Sequence, residues 1–344
     1  MNNPSKTVDR LSRGYMREEL RKLTSKVGVF STADSAYHRA YDIIEERVKR
    51  YFGNKKRLPE DVAKRLRADI KNYIRENFVP VAGGDYKSRI HGFEGRVSEV
   101  NAYYYFQPCL NVIVKEDGTR YEENSVELRH LRLIVDRRRV VIDDFSCNIA
   151  FTEHMLTRLV ERGACPNRPL EYLANRVAEI LFFVPMFTVA TLSTSKRSGV
   201  LIPTSEGVLV GDFVIATDPM SVDYAYRRRL LFDEYGSGVQ TMKDADALQA
   251  DRAKKGEFIS TRMSTFLDLD TLGNDKRWCW EMMSKLRNDY AEYSPLMIGF
   301  LTSPEVMSER KIALRVKPLF DAFAGDILYD PRWNRACKIN LATD

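Results

Sequence analysis

Three basic side chains recur at a constant spacing in one short segment of the chain. His154, Arg158 and Arg162 stand four positions apart, so on a helix they line one flank. The whole sequence contains only four histidines. An imidazole exchanges a proton near neutral pH, and a guanidinium can hold a phosphate through two parallel hydrogen bonds. The spacing therefore predicts proton transfer beside a phosphate group.

The residues around this row predict the helix that must carry it. Thr152 is a typical N-cap residue, and Gly163 is a typical residue just beyond a helix C-terminus. Phe151 and Leu156 have the spacing of a hydrophobic staple. The apolar positions recur at helical spacing and predict a buried face: Met155, Leu156, Leu159 and Val160. The basic row is thus expected at the edge of a packed helix. The same row is also typical of a solvated helix surface with local glutamate partners.

Other residues could complete such a site if the fold brings them near His154. Proton transfer beside a phosphate group needs a proton acceptor, a proton donor and a cation, but no metal or cofactor. Lys196 and Arg197 lie on a predicted turn between two strands, and Arg262 and Thr265 lie on a later strand. We assign Lys196 and Thr265 to the candidate catalytic set with the row. Arg197 and Arg262 are candidates for nucleic-acid binding.

The order of elements around the row resembles a known group of enzymes. Two helices followed by a small antiparallel sheet, with a His-x-x-x-Arg row on the first helix, are similar to RelE-like toxin ribonucleases and related small toxin nucleases. The resemblance covers residues 146–270 and rests on His154, Arg158 and Arg162. It implies a metal-independent ribonuclease or toxin-like enzyme that acts on RNA rather than DNA, with a protein inhibitor as a further partner class.

Positive charge is concentrated in the first quarter of the chain. Residues 1–80 hold 19 Lys and Arg against 11 Asp and Glu, whereas the whole chain has a net charge of +6. The run Lys55, Lys56 and Arg57 is a second candidate for nucleic-acid binding. Hence the alternative function is a non-enzymatic protein that binds nucleic acid or a protein partner through basic helices. A solvated helical surface has the same composition.

Several function classes are disfavoured by composition. There is no apolar run long enough to span a membrane, and the N-terminus lacks the apolar core of a secretory signal. The five cysteines are scattered without a CxxC pair, so neither a zinc site nor a disulfide framework is predicted. These features favour a cytoplasmic protein with no membrane partner, and they leave the oligomeric state open. Asp143 and Asp144 are typical of a turn rather than of a cation site.

The predicted class is α+β, with four segments. They are a basic helical segment (1–82), an antiparallel β meander (85–145), a helix-plus-antiparallel-sheet unit that is the candidate catalytic unit (146–270) and a helical C-terminal segment (271–344). The elements expected within them include a helix from Pro59, a strand over 187–192 and a strand over 258–269. Arg227–Arg229 are expected in an amphipathic helix, and the clearest C-terminal helices are 276–290 and 305–316.

Overall fold

The computed structural model describes most of the chain from residue 59 onward. The described residues are 59–77, 86–91, 97–114, 120–135, 139–164, 168–194, 199–216, 226–233, 258–294, 297 and 310–337, with the single positions 14, 18, 43 and 46 before them. Apart from those positions, the predicted basic segment is described only from Pro59, where helix α1 (Glu60–Asn77) begins. This confirms the predicted helix after Pro59, with Glu60 and Asp61 in its first turn. Lys55, Lys56 and Arg57 lie outside the described residues.

Within the described residues, eight strands form one mixed sheet. In chain order they are β1 (Tyr86–His91), β2 (Val97–Val114), β3 (Arg120–Val135), β4 (Arg139–Thr152), β5 (Gly199–Pro203), β6 (Gly207–Ala216), β7 (Tyr226–Asp233) and β8 (Phe258–Asp268). Neighbours follow the order β1-β2-β3-β4-β8-β6-β5, and β7 pairs with the first half of β4. All pairs are antiparallel except β4 with β8, which are parallel over three residues. The α+β class is confirmed, and β4 runs across the predicted boundary at residue 145.

Helices cover one face of this sheet and follow it at the C-terminal end. They are α2 (Glu153–Glu161), α3 (Pro169–Ala174), α4 (Val177–Thr194), α5 (Asn274–Asp289), α6 (Arg310–Phe323) and α7 (Pro331–Ala336). The rings of Phe187, Phe323 and Trp333 pack together where α4 meets α6 and α7. The helical tail is therefore confirmed, and α6 continues past the predicted end at residue 316, while the predicted start at residue 305 lies outside the described residues.

The predicted strand over 187–192 is wrong, because these residues belong to α4. A continuous apolar run gives no periodicity that distinguishes a buried helix from a buried strand. Residues Ile180–Phe187 include seven hydrophobic side chains that are almost fully buried, on every side of the helix. Pro185 lies inside α4 and does not end it. The break in this helical stretch falls earlier, between α3 and α4.

The predicted helix at Arg227–Arg229 is wrong as well, because these residues lie in β7. In the register of β7 with β4, Arg227 stands opposite Asp144 and Arg228 opposite Asp143. That pairing depends on a distant part of the chain, so local helical spacing could not predict it.

The two faces of the sheet differ in what they pack against. On the inner face Tyr104, Phe106 and Leu128 join one hydrophobic core with the helices α2 to α5. On the outer face Tyr103 donates a hydrogen bond to the backbone oxygen of Arg67 in α1, at 3.3 Å. Successive residues of a strand alternate between faces. The outer face of β3 therefore carries Glu127 and Arg129, which are buried.

Candidate functional site

Helix α2 has the termini that its sequence predicts. The Thr152 hydroxyl accepts a hydrogen bond from the Met155 backbone N–H at 3.1 Å. Gly163 follows the helix with φ of 73°, a left-handed conformation that glycine adopts without strain. Phe151 and Leu156 are both fully buried in the core. The helix therefore fixes His154 close to the end of β4, at the rim of the sheet.

His154 and Arg158 contact each other on the exposed flank of α2. His154 is solvent-exposed, and Arg158 Nε donates to His154 Nε2 at a distance of 3.5 Å. A neutral imidazole accepts a hydrogen bond through its unprotonated ring nitrogen. Arg158 also binds Glu161 through Nη1 at 2.8 Å. The pair therefore places a proton-accepting nitrogen beside a guanidinium that faces solvent.

Arg162 points away from this pair and ties α2 to the end of β8. Its Nη1 lies 3.2 Å from Asp268 Oδ2 and 2.8 Å from Thr271 Oγ1. Asp268 in turn accepts a hydrogen bond from the Thr271 backbone N–H at 2.9 Å. Burial raises the pKa of Asp268, but the hydrogen bonds from Thr271 and the charge of Arg162 outweigh it, so the pKa lies below its ordinary value. Arg162 therefore holds α2 in place against the sheet.

The remaining predicted site residues are distributed over different surroundings. Thr265 is half-buried in β8 and pairs in register with Val210 of β6. Arg262 lies on the outer face of the sheet, with Nη2 3.9 Å from Asp212 Oδ2. Lys196 and Arg197 lie outside the described residues. Of the predicted set, the structure brings His154 and Arg158 into direct contact.

Sequence reasoning missed a polar row that crosses the outer face of the sheet. Strand register places Gln107 of β2 opposite Glu127 of β3, and Glu127 opposite Ala150 of β4. Ala150 is paired with Arg262 of β8, which is paired with Asp212 of β6. Residues paired in this way share one face of a sheet. We call these five residues, together with Arg129, the outer-face row.

The outer-face row contains a buried ion pair. Arg129 Nη1 donates to Glu127 Oε2 at 2.9 Å, and the two side chains are 0% and 7% exposed. Exposure rises along the row, because the Arg262 side chain is 17% exposed and that of Asp212 is 33%. The only local signal was the alternation of charged and apolar residues in β3. The register that assembles the row joins five distant segments.

A bulge in the β6–β8 pairing determines which residues stand opposite each other at the exposed end of the row. The register shifts between Val210 and Gly211, so that Asp212 falls opposite Arg262. A Cβ atom at Gly211 would lie 2.1 Å from the backbone oxygen of Arg262, which no other residue could accept without a backbone shift. The glycine thus permits the close approach that positions the Arg262–Asp212 pair.

A third polar cluster fastens the β5–β6 turn to the helices. Tyr172 donates to Glu206 Oε2 at 2.6 Å, and Arg176 Nε donates to the same oxygen at 2.9 Å. The Arg176 guanidinium also lies 4.0 Å from the centre of the Tyr172 ring. Burial and then the Glu206 hydrogen bond raise the pKa of Tyr172, so the phenol keeps its proton. The polar groups of this cluster bond to one another, and the cluster holds the β5–β6 turn against the helices.

Comparisons with family models, with curated proteins and with solved structures find no match for this chain. Within the described ranges, no group of three or more His, Cys, Asp or Glu side chains is arranged to hold a metal ion. Nor does any helix in the described part of the chain have the length and apolar character to cross a membrane.

Proposed function

We propose that the protein is a metal-independent ribonuclease, toxin-like in its chemistry, that acts on RNA in the cytoplasm. The observation that carries this proposal is the contact between Arg158 and His154 on the exposed flank of α2. A proton acceptor and a fixed cation side by side are two of the groups that RNA cleavage requires. The reaction uses the 2′-hydroxyl of the substrate itself, which accounts for the expected preference for RNA over DNA.

In the proposed reaction His154 Nε2 accepts the proton of the 2′-hydroxyl. The 2′-oxygen then bonds to phosphorus while the bond from phosphorus to the 5′-oxygen breaks. The products are a 2′,3′-cyclic phosphate and a 5′-hydroxyl, and the leaving oxygen takes its proton from a general acid. The Arg158–His154 distance of 3.5 Å lies beyond the usual length of an N–H hydrogen bond. A substrate hydroxyl can therefore replace the guanidinium at Nε2.

Arg158 is proposed to bind the phosphate once the substrate displaces it from His154. Its fork of donors stabilises the negative charge that develops on the phosphorus oxygens. Glu161, whose side chain is only 10% exposed, anchors one end of the guanidinium. Arg162 acts as a positioning residue through Asp268. The proposal retains Lys196 as general acid, Thr265 as a phosphate-binding hydroxyl, and Lys55, Lys56, Arg57, Arg197 and Arg262 as contacts to the RNA backbone.

The test uses two arginines that form the same type of ion pair. Arg158 pairs with Glu161 at 2.8 Å, and Arg168 pairs with Glu171 at 2.9 Å, both three residues apart, and the second pair is the more exposed. The purified protein should cleave single-stranded RNA to 2′,3′-cyclic phosphate ends and leave DNA of the same sequence intact. Arg158→Ala should lose about 10²–10³-fold of this activity. Arg158→Lys should remain impaired, because an ammonium group lacks the guanidinium fork.

The control variant Arg168→Ala should cleave RNA like the wild type. Equal activity in Arg158→Ala and Arg168→Ala would contradict the proposal, and so would a wild type that leaves RNA intact. If the protein binds RNA without cleaving it, or binds a protein partner, the result would support the alternative function, a non-enzymatic interaction protein.

A further inference from the structure

We propose that Glu153 and Asn124 select guanine as the base of the nucleotide whose 2′-hydroxyl reacts at His154. This preference rests on the function proposed above, because it belongs to the same site. It is carried by two side chains that the proposed reaction does not use. The Asn124 amide donates a hydrogen bond through Nδ2 to Glu153 Oε2 at 3.3 Å, one residue along the chain from the exposed His154.

The fold holds the backbone on both sides of this pair. Asn124 belongs to β3 and stands opposite Leu110 of β2. Glu153 is the first residue of α2 and directly follows Thr152, which stands opposite Ser125 of β3. Asn124 and Glu153 are therefore neighbours just beyond the last residue pair that joins β3 to β4. Both side chains are carried by regular secondary structure, which favours precise positioning of a ligand.

The pair is accessible from solvent and can accept further hydrogen bonds. Asn124 is exposed, and Glu153 is half-buried. An ionised carboxylate has two oxygens, with about four positions at which they accept hydrogen bonds. The Asn124 amide uses one of these positions. The Glu153 carboxylate therefore retains the capacity to accept two parallel N–H groups from a ligand.

The four bases of RNA differ in the donors that they offer to a carboxylate. The Watson–Crick edge of guanine presents two adjacent donors, N1–H and N2–H, which match the two carboxylate oxygens. Adenine and cytosine present one amino donor beside an acceptor nitrogen, and uracil presents one N–H between two carbonyl oxygens. An acceptor that faces a carboxylate is repelled, so this group discriminates in favour of guanine. Proteins recognise unpaired RNA bases through these edges.

The order of side chains around α2 matches the order of groups in a nucleotide. Successive residues of a helix are rotated by about 100°, so His154 lies between Glu153 and Arg158 on the circumference of α2. A nucleotide likewise carries its 2′-hydroxyl between the base and the 3′-phosphate. With guanine bound at Glu153 and the phosphate at Arg158, the 2′-hydroxyl lies on the side of His154. Cleavage is therefore expected on the 3′ side of guanosine.

Nucleotide binding tests this preference without requiring cleavage. In isothermal titration calorimetry the wild type should bind guanosine 3′-monophosphate about 5- to 100-fold more tightly than adenosine 3′-monophosphate. Glu153→Gln should abolish or reverse the preference, because an amide offers one acceptor and one donor, a pattern that matches adenine. Glu171→Gln is the matched control, since Glu171 is exposed and also lies in the first turn of its helix. This control should bind both nucleotides like the wild type.

Cleavage of a single-stranded RNA that contains all four bases is the second measurement. The wild type should cut on the 3′ side of guanosine, and Glu153→Gln should lose this preference while it retains cleavage. Equal wild-type affinity for the two nucleotides, no affinity for either, or a preference that Glu153→Gln leaves unchanged would overturn the inference. Cleavage without preference among the four bases would refute the guanine site alone. A guanine preference that depends on Glu153, in a protein that leaves RNA intact, would refute the catalysis alone.

Discussion

The flank of α2 and the outer-face row use the same residue types in opposite surroundings. On the flank the Arg158 side chain is 42% exposed, and its ion pair with Glu161 lies at the protein surface. In the row Arg129 is 0% exposed and its ion pair with Glu127 is sealed from water. An exposed pair contributes little to stability and exchanges partners easily, whereas a buried pair is costly to break. The flank is therefore accessible for chemistry, whereas the centre of the row is part of the packed sheet.

The two regions also differ in what they require from the fold. His154 and Arg158 are held by one helix whose ends are fixed by Thr152 and Gly163. The outer-face row needs five strands in register and the bulge at Gly211. Mutations on the flank should thus change activity at nearly constant stability, and mutations in the row should change both.

The largest expected effect on stability is the breaking of the buried ion pair. Arg129→Ala leaves the Glu127 carboxylate buried without its cation, which costs about 3–5 kcal/mol. The double variant Arg129→Met/Glu127→Leu should recover most of this loss, because it removes both charges together. Urea denaturation gives both values, with Arg168→Ala as the exposed control. A loss in Arg129→Ala no greater than in Arg168→Ala would remove the distinction between the two regions.

Deletion of a core side chain beneath the flank should act through stability alone. Leu159 is fully buried on the inner side of α2, and Leu159→Ala should cost about 2–5 kcal/mol in the free energy of unfolding. The RNA cleavage rate per folded molecule should remain near that of the wild type. A large loss of that rate in a folded variant would show that the helix positions its flank less rigidly than we infer.

Removal of the helix cap should have a smaller effect of the same kind. The Thr152 hydroxyl satisfies the Met155 N–H at the start of α2, and Thr152→Ala should cost roughly 1 kcal/mol. Thr152→Ser keeps the oxygen and should restore most of that stability. Thermal denaturation of the three proteins makes the comparison, and an unchanged midpoint in Thr152→Ala would contradict the role of the cap.

The smallest expected effect is the change with pH in the stability that the Arg162–Asp268 ion pair contributes. The pKa of Asp268 is lower in the folded protein than its ordinary value, so its contribution to stability is present above that ordinary value and is lost as the pH falls through the folded one. Asp268→Asn should therefore be less stable than the wild type at neutral pH, and the difference should vanish in strong acid. Urea denaturation at both pH values tests this, and a difference that grows on acidification would contradict it.

The parts that sequence could predict are those fixed by neighbouring residues. The ends of α2 follow from Thr152 and Gly163, and α1 follows from Pro59 and the acidic residues after it. Two elements were misassigned: α4 is apolar on every side, so its sequence has no periodicity, and β7 pairs with β4, a distant part of the chain. The outer-face row could not be predicted, because its members meet only through strand register and the bulge at Gly211.

The central claim is that His154 transfers a proton during RNA cleavage. The measurement that tests it most directly is the rate at which purified wild type and His154→Ala produce 2′,3′-cyclic phosphate ends from single-stranded RNA. Because His154 is exposed on the flank, His154→Ala should fold with unchanged stability and lose roughly 10²–10⁴-fold of the rate. A folded His154→Ala protein that cleaves RNA at the wild-type rate would contradict the account.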